Sequence, residues 1–598
     1  MRIRVPALLG AAVVAYALPY TLDSYAIHVV DVAILFALLA IGLGLVMGIA
    51  GQVNLAQVAF FGVGAYATAL LTTQGGLGFW TAAVLAMLAA AAAGLLVGLP
   101  ALRVQSHYLG IVTLGLALAF LNWITNTTLA GGADGVSAIP VPPLFGIDLS
   151  DEYLFYYLEV VAFAAAMAFG LFVVATPLGR RLRAMRDDPL AAGSVGAEIP
   201  YLRMIAFLLA SLYGGLAGVL YAGLIRYVAP ETFSIANMFL LLAMVIVGGR
   251  QSLWGCVVGA IGLSLIREYL SDFSTYAQLG YGTVVVLMVV FAPTGLAGIP
   301  QRIRALRGRA ETRAVLRPFE PFPEIGTDTP RRGALEIKRL RMHFRGLKAL
   351  DDVSFVVEPG EIHGVVGPNG SGKTTLFNVV SGLYRATGGS VCLDGQVVSG
   401  MRPYQLSRLG ISRTFQNLRL FRDLSVRDNV LVALDRTRTW SIWRYGLWPV
   451  GVWRHDRALN RAAESLIARF GLTDYADALP PSLPYGIQRR IEIARAMAAG
   501  PRVLLLDEPA AGLNGDEVQQ LARIVRSIRD SGVTVVVIEH NMGLVMSLCE
   551  RVTVLGSGQV IADGTPAEVV ASPAVIEAYL GGETMADQPL TLPEEVNK

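Results

Sequence analysis

The chain has 598 residues, of which 54% are hydrophobic and 16% are charged, and its mean hydropathy is +0.55. This length indicates more than one domain, and the hydrophobic fraction exceeds that of soluble proteins. The formal net charge of +3 is too small to indicate nucleic acid as a partner. The three cysteines, Cys256, Cys392 and Cys549, lack metal-ligand spacing and are predicted to be buried small hydrophobes in a reducing compartment.

Residues 1 to about 300 are apolar and sparsely charged, which predicts a helical membrane domain. A membrane span needs roughly twenty apolar residues. The eighth and ninth candidate spans are short and separated by residues 248–252, which predicts a broken or re-entrant pair. The candidate spans are 5–21, 32–50, 55–72, 78–98, 108–128, 153–175, 203–226, 236–249, 253–268 and 278–298.

Arginine clusters predict the orientation of these spans. One cluster precedes the first span, one lies between the sixth and seventh, and one follows the last. Basic flanks face the cytoplasm, and the span count puts all three clusters on that side. The first run also fits a cleavable signal peptide, although an uncleaved span is preferred. The arginines are Arg2, Arg4, Arg180, Arg181, Arg183, Arg186, Arg302, Arg304, Arg307 and Arg309.

Residues 367–374 fit the pattern G-x-x-x-x-G-K-[ST]. A strand-like segment, 361–366, precedes them and a helix-like run, 375–380, follows, which is the context that this phosphate-binding loop requires. Backbone N–H groups of such a loop surround phosphate oxygens. Lys373 is predicted to reach the β- and γ-phosphates of ATP, and the Thr374 hydroxyl to bind Mg²⁺.

Two further apolar runs predict strands that end in polar side chains. Residues 503–506 lead into Asp507 and Glu508, and residues 533–538 lead into Glu539 and His540. The first carboxylate is suited to Mg²⁺ and the second to polarising a water molecule. Ligands bind at the carboxyl ends of strands in open α/β sheets. We therefore expect both ends to meet the phosphate loop, and favour a site histidine over a core histidine.

Composition also predicts the domain boundaries. A membrane domain of residues 1–305 is followed by a basic, proline-rich linker, 306–334, predicted to be a semi-extended tether. The ATPase domain then covers 335–581 and a loose tail covers 582–598.

Two features of the membrane half stand out. The cytoplasmic segment 179–200 combines arginines with helix-like apolar positions, which favours a short helix docked on the ATPase over a solvated loop. Glu159, seven residues into the sixth span, is a default site hypothesis. It lies nearer the outer end, where water could reach it, so a structural interpretation is favoured over a functional one.

Residues 335–581 resemble the ATPase of ABC transporters, with the motifs in family order. Residues 367–375 match the Walker A loop, 504–508 Walker B, and 511–514 the D-loop. The resemblance implies that Glu508 and His540 are catalytic, His540 being the switch histidine. The implied nucleotide-binding residues are Phe344, Gly367, Pro368, Asn369, Gly370, Ser371, Gly372, Lys373, Thr374, Thr375, Gln416 and Asp507.

Gln416 matches the Q-loop glutamine, and with Thr374 and Asp507 it is an implied Mg²⁺ ligand. Phe344 lies where the family stacks an aromatic ring on adenine, although a core phenylalanine is nearly as good an interpretation. Residues 483–488 match the signature, which in ABC dimers completes the ATP site of the partner. These signature residues are Leu483, Pro484, Tyr485, Gly486, Ile487 and Gln488.

The resemblance narrows to importers of branched-chain amino acids. Residues 413–418, 489–496 and 509–514 resemble their ATPases, while residues 48–57 and 248–255 resemble their permeases, as do residues 291–296. The chain therefore looks like a permease subunit fused to an ATPase subunit. In fold it is a polytopic α-helical membrane domain followed by an α/β P-loop ABC ATPase domain.

The signature departs from the usual pattern at two positions. Pro484 and Ile487 stand where the family has serine and glutamine. Proline has no N–H and no hydroxyl to offer a γ-phosphate. The departure predicts a weakened ATP site on the partner's Walker loop, while the site at this chain's own Lys373 stays competent.

The resemblance implies ATP-driven import of branched-chain or related hydrophobic amino acids across the bacterial inner membrane, with the ATPase domain in the cytoplasm. Urea, short amides or aromatic acids are alternative substrates; an exporter and a nucleotide-gated regulator without turnover are less favoured. Implied partners are a second permease and a second ATPase subunit, or a second copy of this chain, and an extracytoplasmic solute-binding protein. Tryptophans at 440, 443, 448 and 453, mixed with arginines, predict contact with membrane lipid rather than RNA.

Overall fold

A computed structural model of the chain describes residues 10, 13–102, 106–144, 147–269, 274–291, 295–299, 318–322, 333–435 and 449–580. The chain divides into two compact units. Helices dominate the first unit, and the second unit contains the large sheets and also the short segment Asp188–Glu198. The predicted linker and tail lie mostly outside the described residues, so the exact domain boundaries stay predictions.

Long apolar helices make up the first unit, as the composition predicts. A π-helix, Gly44–Ile49, extends the first of them, and the strands β1 (Pro143–Leu144) and β2 (Ile147–Asp148) form an antiparallel pair. The helices of this unit are α1 Ser24–Leu43, α2 Gln57–Thr73, α3 Phe79–Ala101, α4 Ser106–Asn126, α5 Glu152–Ala175, α6 Pro177–Asp187, α8 Ile199–Ile225, α9 Ile235–Gly248, α10 Leu253–Tyr269 and α11 Ser274–Phe291. Helix α7, Pro189–Ser194, lies in the second unit.

Five helices of the described residues are long and apolar enough to cross a membrane, and two shorter apolar helices, Gln57–Thr73 and Ile235–Gly248, accompany them. The predicted break is present: α9 ends at Gly248, and α10 begins four residues after Gly249, whose φ is +107°. The first candidate span falls largely outside the described part of the chain. The total of ten spans therefore stays a prediction.

Small residues let the helices of the first unit approach closely. A Cβ on Gly64 of α2 would lie 2.5 Å from the carbonyl oxygen of Gly215 in α8. Glycine at helix contacts is a common way to bring membrane helices together, because apolar burial gives little advantage within lipid. The close pairing of α2 with α8 therefore depends on these glycines.

Two sheets organise the second unit. Their strands are β3 Leu335–Phe344, β4 Leu347–Val357, β5 Ile362–Val366, β6 Gly388–Leu393, β7 Gln396–Val397, β8 Ile411–Arg413, β9 Val503–Asp507, β10 Thr534–Ile538, β11 Arg551–Gly556 and β12 Gln559–Gly564. The larger sheet has the strand order β12-β11-β5-β10-β9-β8 and is parallel except for β12; the smaller, β4-β3-β6-β7, is antiparallel.

Helices pack around the larger sheet. Every residue of β5, β9 and β10 is buried, which explains their continuous apolar sequences. Side chains of both sheets and of the helix after the phosphate loop form one hydrophobic core. The helices, after α7, are α12 Lys373–Val380, α13 Pro403–Leu409, α14 Val426–Leu434, α15 Pro449–Arg469, α16 Tyr485–Ala498, α17 Gly515–Asp530, α18 Met542–Leu548, α19 Pro566–Ala571 and α20 Pro573–Leu580.

Two local expectations are wrong. Residues 318–322 of the proline-rich linker are packed rather than tethered: Phe319 and Phe322 contact the Phe470 ring, and the Phe322 N–H donates to Ser527 Oγ at 2.7 Å. Aromatic burial outweighs the extended tendency of the prolines there.

Glu159, expected to be reached by water, is fully buried. The three cysteines are free and buried, as predicted.

We predict that Gly259→Ala destabilises the first unit. A Cβ there would overlap the Met244 carbonyl oxygen and lie 2.7 Å from the Gly248 N, so α9 and α10 would have to separate. Gly262→Ala, on the same helix, is the control, because a Cβ there meets nothing within 4 Å. It should raise stability by roughly 0.5–1 kcal/mol through helix propensity. Thermal unfolding of the full chain in detergent measures both; an equal response of the two variants would contradict the close packing.

Candidate active site

The phosphate loop connects β5 to α12. Gly367, Gly370 and Gly372 have φ values of +150°, +81° and +102°, a region that favours glycine. A Cβ on Gly372 would also lie 2.5 Å from the Ala349 carbonyl oxygen. The fold therefore requires these glycines, and their loop leads into the start of a helix, where a phosphate binds.

The Lys373 ammonium lies inside the loop that it is predicted to serve. Its Nζ donates to the carbonyl oxygens of Gly367 at 2.7 Å and Pro368 at 2.8 Å. Burial lowers the pKa of Lys373, and the nearby charges of Glu508 and Asp507 oppose that shift. A buried ammonium next to these carboxylates is suited to a phosphate ligand, which supplies the remaining negative charge.

Glu508 is at the centre of the site. Gln416 Nε2 donates to one carboxylate oxygen at 2.9 Å, and His540 Nε2 lies 3.0 Å from the other. With a proton on its Nε2, His540 donates to this carboxylate oxygen. Glu508 has a φ of +45°, which costs of order 1–3 kcal/mol for a residue other than glycine. The fold thus brings together three predicted residues from three separate segments.

Asp507 precedes Glu508 at the end of β9 and is 1% exposed. Its Oδ2 lies 2.7 Å from a guanidinium nitrogen of Arg413, whereas its Oδ1 has no hydrogen-bond partner among the described residues. Burial raises the pKa of Asp507 above its ordinary value, and Arg413 works against that shift. The unpartnered oxygen is free to bind a cation.

The predicted metal ligands Thr374, Gln416 and Asp507 fit Mg²⁺ in their chemistry. Thr374 is exposed at the first turn of α12, and its hydroxyl makes no hydrogen bond within the described chain. Gln416 uses its amide nitrogen on Glu508, so its amide oxygen is available. A hydroxyl, an amide oxygen and a carboxylate are the hard oxygen ligands that Mg²⁺ takes, together with substrate phosphates and water.

Phe344, at the end of β3, is 39% exposed and stands edge-on to the Tyr384 ring at 5.4 Å between centroids. This exposure argues against a core phenylalanine and leaves the ring face accessible to a base. Its assignment to adenine stays a prediction.

The signature residues lie at the start of α16, whereas the phosphate loop precedes α12. Pro484 is the N-cap of α16 and supplies no capping hydrogen bond, and Ile487 is 1% exposed. Tyr485 and Gly486 follow at the start of the helix. Among the described hydrogen bonds, none joins residues 483–488 to the loop at Lys373. Because Ile487 packs into the core, Pro484 is the departure that changes the surface available to a phosphate.

One buried arginine near the site was not predicted from the sequence. Arg489, in α16, donates to Glu492 at 2.7 Å and to the backbone oxygens of Phe415 and Glu508 at 3.0 Å each. It therefore ties the segment that carries Gln416 to the end of β9. Its spacing of three residues from Glu492 is the signal that was available, since such pairs meet on one helix face.

Glu539 also has a structural role that was not predicted from its position in the sequence. Its carboxylate accepts from the backbone N–H of Ala510 at 2.7 Å and of His540 at 3.1 Å. It thereby holds the segment after Glu508 next to His540.

Segment Asp188–Glu198 contains the predicted docking helix. Asp188 caps α7 with one carboxylate oxygen and places the other 2.7 Å from Arg419. Glu198 lies 3.3 Å from Arg408, on α13. The Arg419 guanidinium in turn stacks over the Phe415 ring, next to Gln416. The segment is thus docked on the ATPase fold, three side chains away from Glu508.

Comparison with known proteins covers both halves. The family model for the permease component of branched-chain amino acid transport systems matches residues 25–293. The ABC transporter model matches residues 350–511, and the model for the branched-chain amino acid ATP-binding cassette transporter matches residues 559–584.

Curated relatives of the chain fall into two groups. The transport ATP-binding protein BraF of Pseudomonas aeruginosa is 42% identical over 252 residues, covering 42% of this chain and 98% of BraF. LivG of Escherichia coli K12 is 42% identical over 250 residues, covering 41% and 97%. The permease LivM of Escherichia coli K12 is 34% identical over 316 residues, covering 48% of this chain and 74% of LivM.

Among solved structures, a nucleotide-free ATP-binding cassette of an ABC transporter is 28% identical, with a TM-score of 0.37, over 42% of this chain and 99% of that one. The relatives of the two groups align to different halves of the sequence. The chain therefore belongs to the branched-chain amino acid family of ABC transporters, and it joins a permease domain and an ATP-binding domain in one polypeptide.

Proposed function

We propose that this chain imports branched-chain amino acids across a bacterial inner membrane and hydrolyses ATP on the cytoplasmic side. The observation that carries the proposal is the fusion itself. One half is similar to LivM and the other to LivG, which are named as the permease and ATP-binding proteins of high-affinity branched-chain amino acid transport. A chain that joins an ATPase to a permease of the same kind of system can couple ATP hydrolysis to transport.

Glu508 is the proposed catalytic carboxylate. Each of its oxygens accepts one hydrogen bond, from Gln416 or His540, and keeps lone-pair capacity for a water molecule. Held in this way, it can orient the water that attacks the γ-phosphate and accept its proton. Lys373 would hold the phosphate. Mg²⁺, bound through Thr374, Gln416 and Asp507, would supply charge neutralisation.

The chain provides half of each ATP site in the proposed assembly. In ABC dimers each signature completes the partner's site, so a second ATPase subunit, or a second copy of this chain, would complete the site at Lys373. A second permease, a solute-binding protein and membrane lipid complete the proposed set of partners. Trp453, largely exposed on α15, is available to lipid, while the other three tryptophans of that group lie outside the described residues.

Coupling to transport is proposed to run through Asp188. The ion pair of Asp188 with Arg419 adjoins the segment of Gln416, which contacts Glu508. A change in the hydrogen bonds of Glu508 on hydrolysis would therefore move Arg419, the ion-pair partner of Asp188. A chain of contacts becomes a coupling path only if breaking it separates hydrolysis from transport.

The first test is uptake by a strain that lacks this gene, offered labelled leucine, urea and an aromatic acid in turn. The native gene should restore leucine uptake, and Glu508→Gln should abolish both uptake and ATP hydrolysis by the purified complex, because an amide cannot accept the proton of water. If the native gene restored the uptake of urea or of the aromatic acid instead, the proposed substrate class would be wrong. Equal hydrolysis by both proteins would overturn the assignment of Glu508.

Pro484→Ser should raise the hydrolysis rate at the site that this signature completes. Serine offers an N–H and a hydroxyl, and a hydrogen bond to a charged group is worth about 1.5–3 kcal/mol, or roughly tenfold or more in rate. Pro484→Ala is the matched control, because alanine restores the N–H alone. Hydrolysis by the purified complex measures both; no gain from serine over alanine would show that the missing hydroxyl does not limit the rate.

Asp188→Asn and Arg419→Gln should lower uptake per ATP hydrolysed by about twofold to fivefold, the effect of a partly exposed ion pair worth up to about 1 kcal/mol. Asparagine keeps the cap of α7, so the helix stays formed. Arg422→Gln, three residues beyond Arg419 and exposed, is the control. Leucine uptake and ATP hydrolysis are measured together in proteoliposomes. Unchanged coupling, or an equal loss in the control, would remove Asp188 from the coupling path.

A further inference from the structure

Two helices of the first unit carry a carboxylate into the same apolar seam. On α1, Asp31 lies between Ile27 and Ile34, at the spacing that puts all three on one helix face. On α5, Glu159 follows Tyr156 by three residues. Ile27, Ile34 and Tyr156 form one buried cluster, so the two faces meet. The seam between α1 and α5 thus encloses both acids.

Neither acid has the partner that a buried charge requires. Asp31 and Glu159 are both 0% exposed, and none of their four carboxylate oxygens accepts or donates a hydrogen bond within the described chain. Taking one unpaired carboxylate out of water costs several kcal/mol even after relaxation, and a second like charge adds to that cost.

Among the residues that the structure describes, the charged and titratable groups around the seam supply no cation to it. His28 of α1 is engaged by Glu152 of α5 at 3.1 Å, at the end of both helices, where both side chains are partly exposed. Ser24 also contacts Glu152 there. Tyr156 donates its hydroxyl to the carbonyl oxygen of Ala15 at 2.9 Å.

The described parts of the other helices that pack against α1 do not supply a cation either. Tyr213 of α8 donates to the Ala166 carbonyl oxygen at 2.7 Å, and Cys256 of α10 faces Gly44. Glu268 of α10 accepts from Tyr25. Helix α9 carries no titratable side chain. None of the described residues supplies a cation to the pair, so the neutralising charge is one that this part of the chain does not provide.

We propose that Asp31 and Glu159 form a proton-binding site. A proton is the cation that fits, because the seam leaves no space at either carboxylate for a water-sized particle. The closed seam holds the acids protonated. The proton is taken from solvent at the end marked by His28 and Glu152, and it returns to solvent in any conformation that separates α1 from α5 and wets the seam.

This site makes the closed seam sensitive to pH. Protonated acids are stable in an apolar seam and ionised ones are not, so raising the pH favours the opened seam. The inference goes beyond ATP-driven import and does not depend on the substrate. It predicts that one conformational step of the membrane half binds or releases protons.

Infrared difference spectroscopy of the full chain in lipid vesicles tests the site directly. The spectrum of the native protein minus that of the Asp31→Asn, Glu159→Gln double variant should contain the C=O stretch of a protonated carboxyl near neutral pH. A difference spectrum that contains only ionised carboxylate bands would overturn the proposal. The single variants Asp31→Asn and Glu159→Gln give the same readout if the double variant does not fold.

A second measurement follows the thermal unfolding midpoint from about pH 6 to about pH 9. The native midpoint should fall by several degrees, and the double variant, whose amides do not ionise, should lose most of that dependence. Asp151→Asn, at the exposed cap of α5, should retain the native dependence. Equal slopes for the native protein and the double variant would contradict a proton held in the seam. The measurement requires neither ATP nor transport, so its failure is independent of the proposed function.

Discussion

The hydrogen bonds of Glu508 are the constraint on which the rest of the ATPase unit depends. Glu508 has a left-handed backbone conformation, and Gln416 and His540 occupy its two carboxylate oxygens. Arg489 holds its backbone oxygen from α16. A strained residue persists when its surroundings determine its position, and here three segments do so. The strand order places β10 between β5 and β9, so the phosphate loop and both acids share one sheet edge.

The same bonds relate the ATP site to segment Asp188–Glu198. Gln416 lies next to Phe415, whose ring is covered by Arg419, and Arg419 pairs with Asp188. The individual contacts are weak, since a partly exposed ion pair contributes at most about 1 kcal/mol. What relates the two sites is that these contacts follow one another from Glu508 to Asp188, and not the strength of any single contact. A short helix that is capped by Asp188 and also held by Glu198 on Arg408 can move as one body with the ATPase surface.

Short-range sequence patterns were enough to predict several strands and loops of the fold. The glycines around Lys373 and the apolar runs that lead into Asp507 and Glu539 each specify backbone geometry by composition, and the structure has a strand or a loop at each. The break after Gly248 was predicted for the same reason. The convergence of Glu508 with His540 followed from a general property of parallel sheets.

The features that the sequence did not reveal depend on which surfaces meet. Glu159 is dry because α1 covers it, and no pattern within the sixth span carries that information. Phe319 and Phe322 pack on a ring about 150 residues further along the chain, so their prolines suggested a tether instead. Arg413 and Arg489 occupy buried positions that only their partners explain. The assignments of individual residues to ATP and Mg²⁺ stay predictions.

The central claim, that hydrolysis at Glu508 drives solute through the joined permease, is tested most directly in proteoliposomes that hold the assembled transporter. Leucine uptake is measured with ATP or a non-hydrolysable analogue on the ATPase side. The account predicts accumulation above the external concentration with ATP, and none with the analogue. Equal accumulation with both nucleotides would contradict it and would indicate a nucleotide-gated pathway.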